Sequence, residues 1–279
     1  MLIIYLSFFI FGLIIGSFLN VFICRYHTGR SLRGRSMCLM CNKQLSWFEL
    51  IPLVSYLLQG GRCRLCKSRI SSQYPLVELT TGLVFAGISW KFLTFNLSAQ
   101  AGFQLSIFNL SSLIYFILVL LIFSILIVIS AYDIRHKIIP NGPVYTFILL
   151  AILTVFVDSQ LLIVNGLLDH ILAGIVLSLP FVLLWLFSRG KLMGLGDAKL
   201  ALGMGFLLGL SAGVTALLLS FWIGAIISLL LIAFSRLFSA SVLRYTMKSE
   251  IPFGPFLALS TFIVFLFDID FISLIQIFT

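Results

Sequence analysis

Apolar residues run in long stretches along the chain, separated by short polar segments. Several stretches reach about 17 residues or more, the length a helix needs to cross a hydrocarbon core about 30 Å thick. Read in order, they predict helices over 1–24, 76–93, 113–132, 143–157, 166–188, 198–210, 213–235 and 253–272. The apolar pattern from 198 to 235 is too long for one span, and Gly209, Ser211 and Gly213 offer the break that divides it. The expectation is an all-α polytopic membrane protein of about eight transmembrane helices.

Composition strengthens this reading. The chain is 61% hydrophobic and 10% charged, with a mean hydropathy of +1.18, whereas a soluble globule carries about 25% charged residues. The first stretch lacks a basic start and a small-residue cleavage site, and Arg25 and Arg30 follow it, so it reads as a retained span. That order of charges places the N-terminus outside and the next loop in the cytoplasm of a bacterial cell. With eight spans, all of the 18 Lys and Arg residues except Lys91 fall on the cytoplasmic side. With seven, Arg236, Arg244 and Lys248 would move outside. Charge parity therefore favours eight. It divides the chain into a first transmembrane helix (1–24), a cytoplasmic loop domain (25–75), a second helix with an outer loop (76–112) and a six-helix core (113–279).

The net charge of +9 is concentrated in the loop domain, where nine basic side chains meet one acid, Glu49. Basic, Gly-rich segments can bind nucleic acid, but one held between two spans is better matched to the headgroups of anionic membrane lipids. No nucleic-acid partner is expected. The same loop carries Cys38-x-x-Cys41 and, after a gap of 21 residues, Cys63-x-x-Cys66. Two such pairs have the form of a tetrathiolate zinc site, with a gap slightly above the usual range. Cytoplasmic thiols stay reduced, which disfavours disulfides. A metal would also supply folding energy to a loop with few apolar residues for a core. Four thiolates leave no open coordination position, so the expected zinc is structural and the loop zinc-ribbon-like.

Two acids stand apart from the rest. Asp158, Asp169, Asp268 and Asp270 fall near outer ends of spans, where a solvated carboxylate costs little. Asp133 ends the third span in Ala131-Tyr132-Asp133-Ile134-Arg135, and Asp197 opens the sixth in Gly194-Leu195-Gly196-Asp197-Ala198-Lys199. On the eight-span map both reach the cytoplasmic face, so one site can contain both. Ionisable residues at membrane depth are functional candidates, while ion pairs with Arg135 or Lys199 are the plain alternative. Gly194 and Gly196 allow close backbone approach or unusual dihedrals before Asp197.

These motifs resemble the type IV prepilin peptidases, membrane aspartyl proteases of the GxGD class. Gly194-Leu195-Gly196-Asp197 matches the family's namesake motif, and Asp133 with Ile139-Pro140-Asn141 matches its partner. The resemblance extends over nearly the whole chain. Gly16-Ser17-Phe18-Leu19-Asn20-Val21 is similar to the opening signature, and Trp47, Ile51-Pro52 and Ser55-Tyr56 accompany the cysteines. Gly61 to Arg64 and Ile70 to Glu78 continue the pattern, and Pro252-Phe253-Gly254-Pro255-Phe256 precedes the last span. Leu39 departs from a common proline, and Phe22 to His27 departs from the usual stretch after the signature.

The resemblance implies an aspartyl endopeptidase whose core is 113–279, with Asp133 and Asp197 sharing one proton. The ionised partner takes a proton from the attacking water and the other donates to the scissile carbonyl, without a catalytic metal. Helix dipoles predict an anionic Asp197 and a neutral Asp133, each favoured by about 0.3–1 kcal/mol. The implied substrates are prepilins or pseudopilins, cleaved where a basic leader meets an apolar helix. Members with the cysteine loop also N-methylate the new terminus from S-adenosylmethionine, although no glycine motif for that donor is readable here. A transporter would instead carry charges near mid-span or internal repeats, and this sequence has neither.

Overall fold

The computed structural model describes residues 1–26, 34–38, 40–98, 110–157, 164–191, 193–237 and 251–270. Leu39, Asp158, Arg244 and Lys248 lie outside these residues. The described residues are helical, with two isolated β-bridges and no strand. The helices are α1 (Leu2–Arg25), α2 (Val54–Leu58), α3 (Gln73–Ser98), α4 (Leu110–His136), α5 (Asn141–Val157), α6 (Val164–Ser188), α7 (Leu195–Leu208), α8 (Leu210–Leu237) and α9 (Gly254–Phe267). Five of them, α1, α3, α4, α6 and α8, are long and apolar enough to cross a membrane. The chain is a multi-pass membrane protein. The other long helices, α5, α7 and α9, have 17, 14 and 14 residues. At 1.5 Å per residue these reach about 21–26 Å, short of a typical hydrocarbon core.

Helix positions follow the apolar stretches, but their ends differ where backbone chemistry intervenes. The break after α7 is narrower than expected. Gly209 alone leaves the helical path, at φ 77°, and Ser211 and Gly213 are already helical in α8. At the other end of the third stretch, α4 runs past 132 to His136, so Asp133 lies inside its last turn.

The chain divides into two compact units, Met1–Ile107 and Phe108–Thr279. In the first, α1 packs along α3 through small residues that let the backbones approach. A Cβ at Gly12 would lie 2.8 Å from Gly82 Cα, and one at Gly16 would lie 2.8 Å from Glu78 Cα. Just beyond, the buried Asn20 donates through Nδ2 to the Tyr74 carbonyl at 3.0 Å. In the second unit α7 is the buried centre, packed on α5, α6, α8 and α9. Leu200, Ala201 and Met204 are buried on it, and Gly203 and Gly205 admit Phe147 and the backbone of α6 at Gly174. Protein rather than lipid surrounds α7, which explains how a helix this short fits in the bundle.

Candidate functional site

Asp197 is the third residue of α7, and Gly194 caps that helix from an extended conformation (φ −81°, ψ 152°). Asp133 lies in the last turn of α4. Both are buried, with 9% and 4% of their surfaces exposed. They are also close enough for the charge of Asp133 to act on Asp197. Sequence placed these carboxylates at the same depth, and the fold buries both within range of each other's charge. Among the described residues neither takes part in an ion pair. Lys199 turns away from Asp197, donating to Asn141 Oδ1 at 2.8 Å and lying 4.9 Å from the centre of the Tyr145 ring.

Of the two glycines only Gly196 is in close approach; a Cβ at Gly194 would meet nothing nearer than 3.8 Å. Neither Gly194 nor Gly196 has a positive φ, so the expectation of unusual dihedrals does not hold there. A Cβ at Gly196 would lie 2.7 Å from Cβ of Ile139, in the segment linking α4 to α5. Gly196 therefore lets the start of α7 sit against the chain that leaves Asp133.

Sequence reasoning missed the third participant. The Gly254 amide, at the first residue of α9, donates to Asp133 Oδ2 at 3.1 Å in a buried bond. Asp133 thus stands at the C-terminal end of one helix and the N-terminal end of another. The opposing dipole of α9 removes the basis for a neutral Asp133. The signal was present in Pro252-Phe253-Gly254-Pro255-Phe256, but only the fold shows where it lands. Asp169 is exposed, as its place near a span end predicts, and its Oδ2 also accepts the Leu210 amide at 3.0 Å at the start of α8.

The four cysteines converge in the first unit. The Sγ atoms of Cys38, Cys41, Cys63 and Cys66 lie within 4.8 Å of one another, and Cys38 and Cys66 are 3.8 Å apart. Tetrahedral zinc with Zn–S bonds of about 2.3 Å requires sulfurs about 3.8 Å apart, so the donor set fits such an ion. The two arms share one construction. The amides of Cys38 and Cys63 donate to Lys43 and Ser68, the bridges pair Met37 with Gln44 and Arg62 with Arg69, and Asn42 and Lys67 take φ of 55° and 57°. Each arm is a tight turn with one left-handed residue after its second cysteine. Amides at Cys41 and Met40 hold the Cys38 thiol down to about 6, and the Ser68 hydroxyl lowers that of Cys66. Both effects favour the thiolate, the form that binds metal, whereas desolvation and the neighbouring thiols push that of Cys41 up to about 11.

A family model for the bacterial peptidase A24 N-terminal domain matches residues 10–92, and one for the type IV leader peptidase family matches residues 120–229. A prepilin leader peptidase/N-methyltransferase of Vibrio cholerae is 31% identical over 92% of this chain and 94% of its own. The chain belongs to the type IV leader peptidase family. A protein of the same name from Bacillus subtilis is 31% identical over 95% of both chains, and one from Pseudomonas aeruginosa is 28% identical over 91% of this chain and 87% of its own. No solved structure matches. The two matched regions separate the two sites, with the cysteine cluster in the first and both aspartates in the second. Gly254 falls beyond the leader-peptidase match, although its amide is bonded to Asp133.

Proposed function

We propose that the protein is an aspartyl endopeptidase that removes the basic leader from type IV prepilins or pseudopilins, with Asp133 and Asp197 as its catalytic pair. The observation that carries this reading is the buried convergence of the two carboxylates in a member of the leader-peptidase family. One carboxylate takes the proton of the attacking water, and the other donates to the scissile carbonyl oxygen. Gly194 and Gly196 support the geometry, and 113–279 forms the protease core. The site lies at the cytoplasmic face of the bacterial inner membrane, with the N-terminus outside and eight spans. This places the substrate's apolar helix in the bilayer and its leader in the cytoplasm.

The relatives' name also supports N-methylation of the new N-terminus, with S-adenosylmethionine as donor. In the 25–75 loop domain, Cys38, Cys41, Cys63 and Cys66 hold structural zinc, whose closed thiolate shell fixes the fold of the module. No catalytic metal is required.

Co-expression with a prepilin tests both halves through leader loss and the mass of the new N-terminus. Asp133→Asn and Asp197→Asn each lower cleavage by about 10²–10⁴-fold, the usual range for a lost acid–base group. Wild-type processing by both variants would refute the peptidase. A cleaved product without an added methyl mass would remove the transferase.

A further inference from the structure

Two sequence motifs take no part in the aspartate site: Gly16 to Val21 on α1, and the apolar segment from Trp47 to Leu58. They meet in the first unit. Ile14, Ser17, Phe18 and Val21 of α1 line one side of an open, mostly apolar cavity of about 360 Å³, and Trp47 and Ile51 line the other. Their depth is informative. At 1.5 Å per residue α1 is about 36 Å long, so at most about 6 Å of it can project beyond a 30 Å hydrocarbon core. Phe18 lies about 10 Å and Ile14 about 16 Å from the Arg25 end. Both therefore sit in hydrocarbon, and the 47–52 segment reaches down beside them.

The segment's anchoring agrees. Leu53, at φ 58°, donates its amide to Glu78 Oε2 at 2.8 Å, and Glu78 lies about 7 Å inside the start of α3. Glu49, the one charge between 47 and 58, is buried and takes the Ser46 amide at 2.9 Å and the Lys43 ammonium at 3.4 Å. The outward surface is left to Trp47, Leu57 and Leu58, exposed by 78%, 74% and 76%. Lys43, Arg62, Arg64, Lys67 and Arg69 belong to the two cysteine arms in sequence, with Lys43 reaching to Glu49 and Arg64 lying 4.8 Å from the centre of the Phe48 ring.

The geometry points to the lipid bilayer as the occupant of this surface: the Trp47–Leu58 segment is a shoulder of the cysteine module embedded in the membrane boundary beside α1, with the basic arms facing anionic headgroups. The apolar face of α1 that lines the cavity is already a lipid-facing surface of a span, and the shoulder continues it. An indole at the apolar–polar boundary and cations at the headgroups match the usual division at a membrane interface. The cysteine module is thus held at the bilayer surface by its own side chains as well as by its two tethers.

The test uses the full chain in nanodiscs of phosphatidylcholine and phosphatidylglycerol. Changing Trp90, Trp185 and Trp222 to Phe leaves Trp47 as the only indole. Lipids brominated on the upper acyl chain, about 5–10 Å below the headgroups, should quench Trp47 about twofold or more, while aqueous iodide has little effect. Strong iodide quenching without bromine quenching would overturn the proposal, because the shoulder would then lie in water. Protection from both quenchers would also overturn it, because protein would then cover the surface. A benzophenone amino acid at position 57 in the otherwise native chain gives an independent readout: lipid adducts on irradiation support the shoulder, and protein adducts alone refute it.

Discussion

The aspartate site depends on two glycines that are constrained by what a side chain would strike rather than by their dihedrals. A Cβ at Gly254 would lie 2.7 Å from Asp133 Oδ2. That distance is below van der Waals contact, and relieving it means moving the Asp133 carboxylate or losing its amide bond. Gly254→Ala should reduce leader cleavage by about 10–10³-fold, using about 3 kcal/mol for one lost preorganised donor as a guide, while protein level and metal content hold. Cleavage at the wild-type rate would show that the bond to Asp133 is dispensable. Gly196→Ala meets Cβ of Ile139 at 2.7 Å, so its defect has a specific remedy. Trimming Ile139 to Ala leaves that Cβ in place, whereas Ile139→Gly removes it. In a double-mutant cycle, Gly196→Ala should be partly rescued by Ile139→Gly and less by Ile139→Ala. Equal rescue by the two, or none, would remove this contact as the reason for glycine.

At the scale of elements, the cysteine module is held by its donors and by the 3₁₀ turn at Trp47–Leu50. The Ser46 amide, then the Lys43 charge, hold the Glu49 carboxyl below its ordinary value of 4.5. Glu49 thus contributes stability that is present above that value and lost as pH falls through its depressed folded value. Glu49→Gln should melt below wild type at neutral pH, and the gap should close as pH drops beneath about 4.5. A gap constant with pH would refute the charge-based account. Chelation should lower the melting transition of the same unit, since metal binding and folding are coupled in such modules. Cys63→Ser should lower it similarly and release stoichiometric zinc; an unchanged melt with no zinc in the wild-type protein would dismiss the metal. α7 is clamped at its far end as well. His170 Nδ1 is bonded to the Phe206 carbonyl at 2.8 Å, beside the bond from the Leu210 amide to Asp169, so both sides of the Gly209 break are tied to the second turn of α6.

For the whole molecule, the helix order was legible because long apolar stretches leave little choice in lipid, where the backbone must satisfy its own hydrogen bonds. The cysteine pairs were legible because a turn with two ligands is encoded locally. The bond from Gly254 to Asp133 was not, since it joins residues 121 positions apart and depends on how α9 meets α4. Nor was the exposed shoulder at Trp47–Leu58: the loop's shortage of core was expected, but not that its apolar residues would face outward. The span count is where sequence and structure divide the work. Five helices are long enough to cross on their own, whereas α7 is short and enclosed by protein. Charge parity nevertheless requires α7 and α8 to cross in opposite directions, which places residues 189–191 and the 240–248 segment on the same side. Single cysteines introduced at Arg189 and at Arg244, in otherwise native protein, should therefore both react with a membrane-impermeant maleimide only after the cytoplasmic side is opened. If Arg244→Cys reacts in intact cells while Arg189→Cys does not, α7 and α8 make one crossing. The 238–250 segment, with its two cations Arg244 and Lys248, would then lie outside.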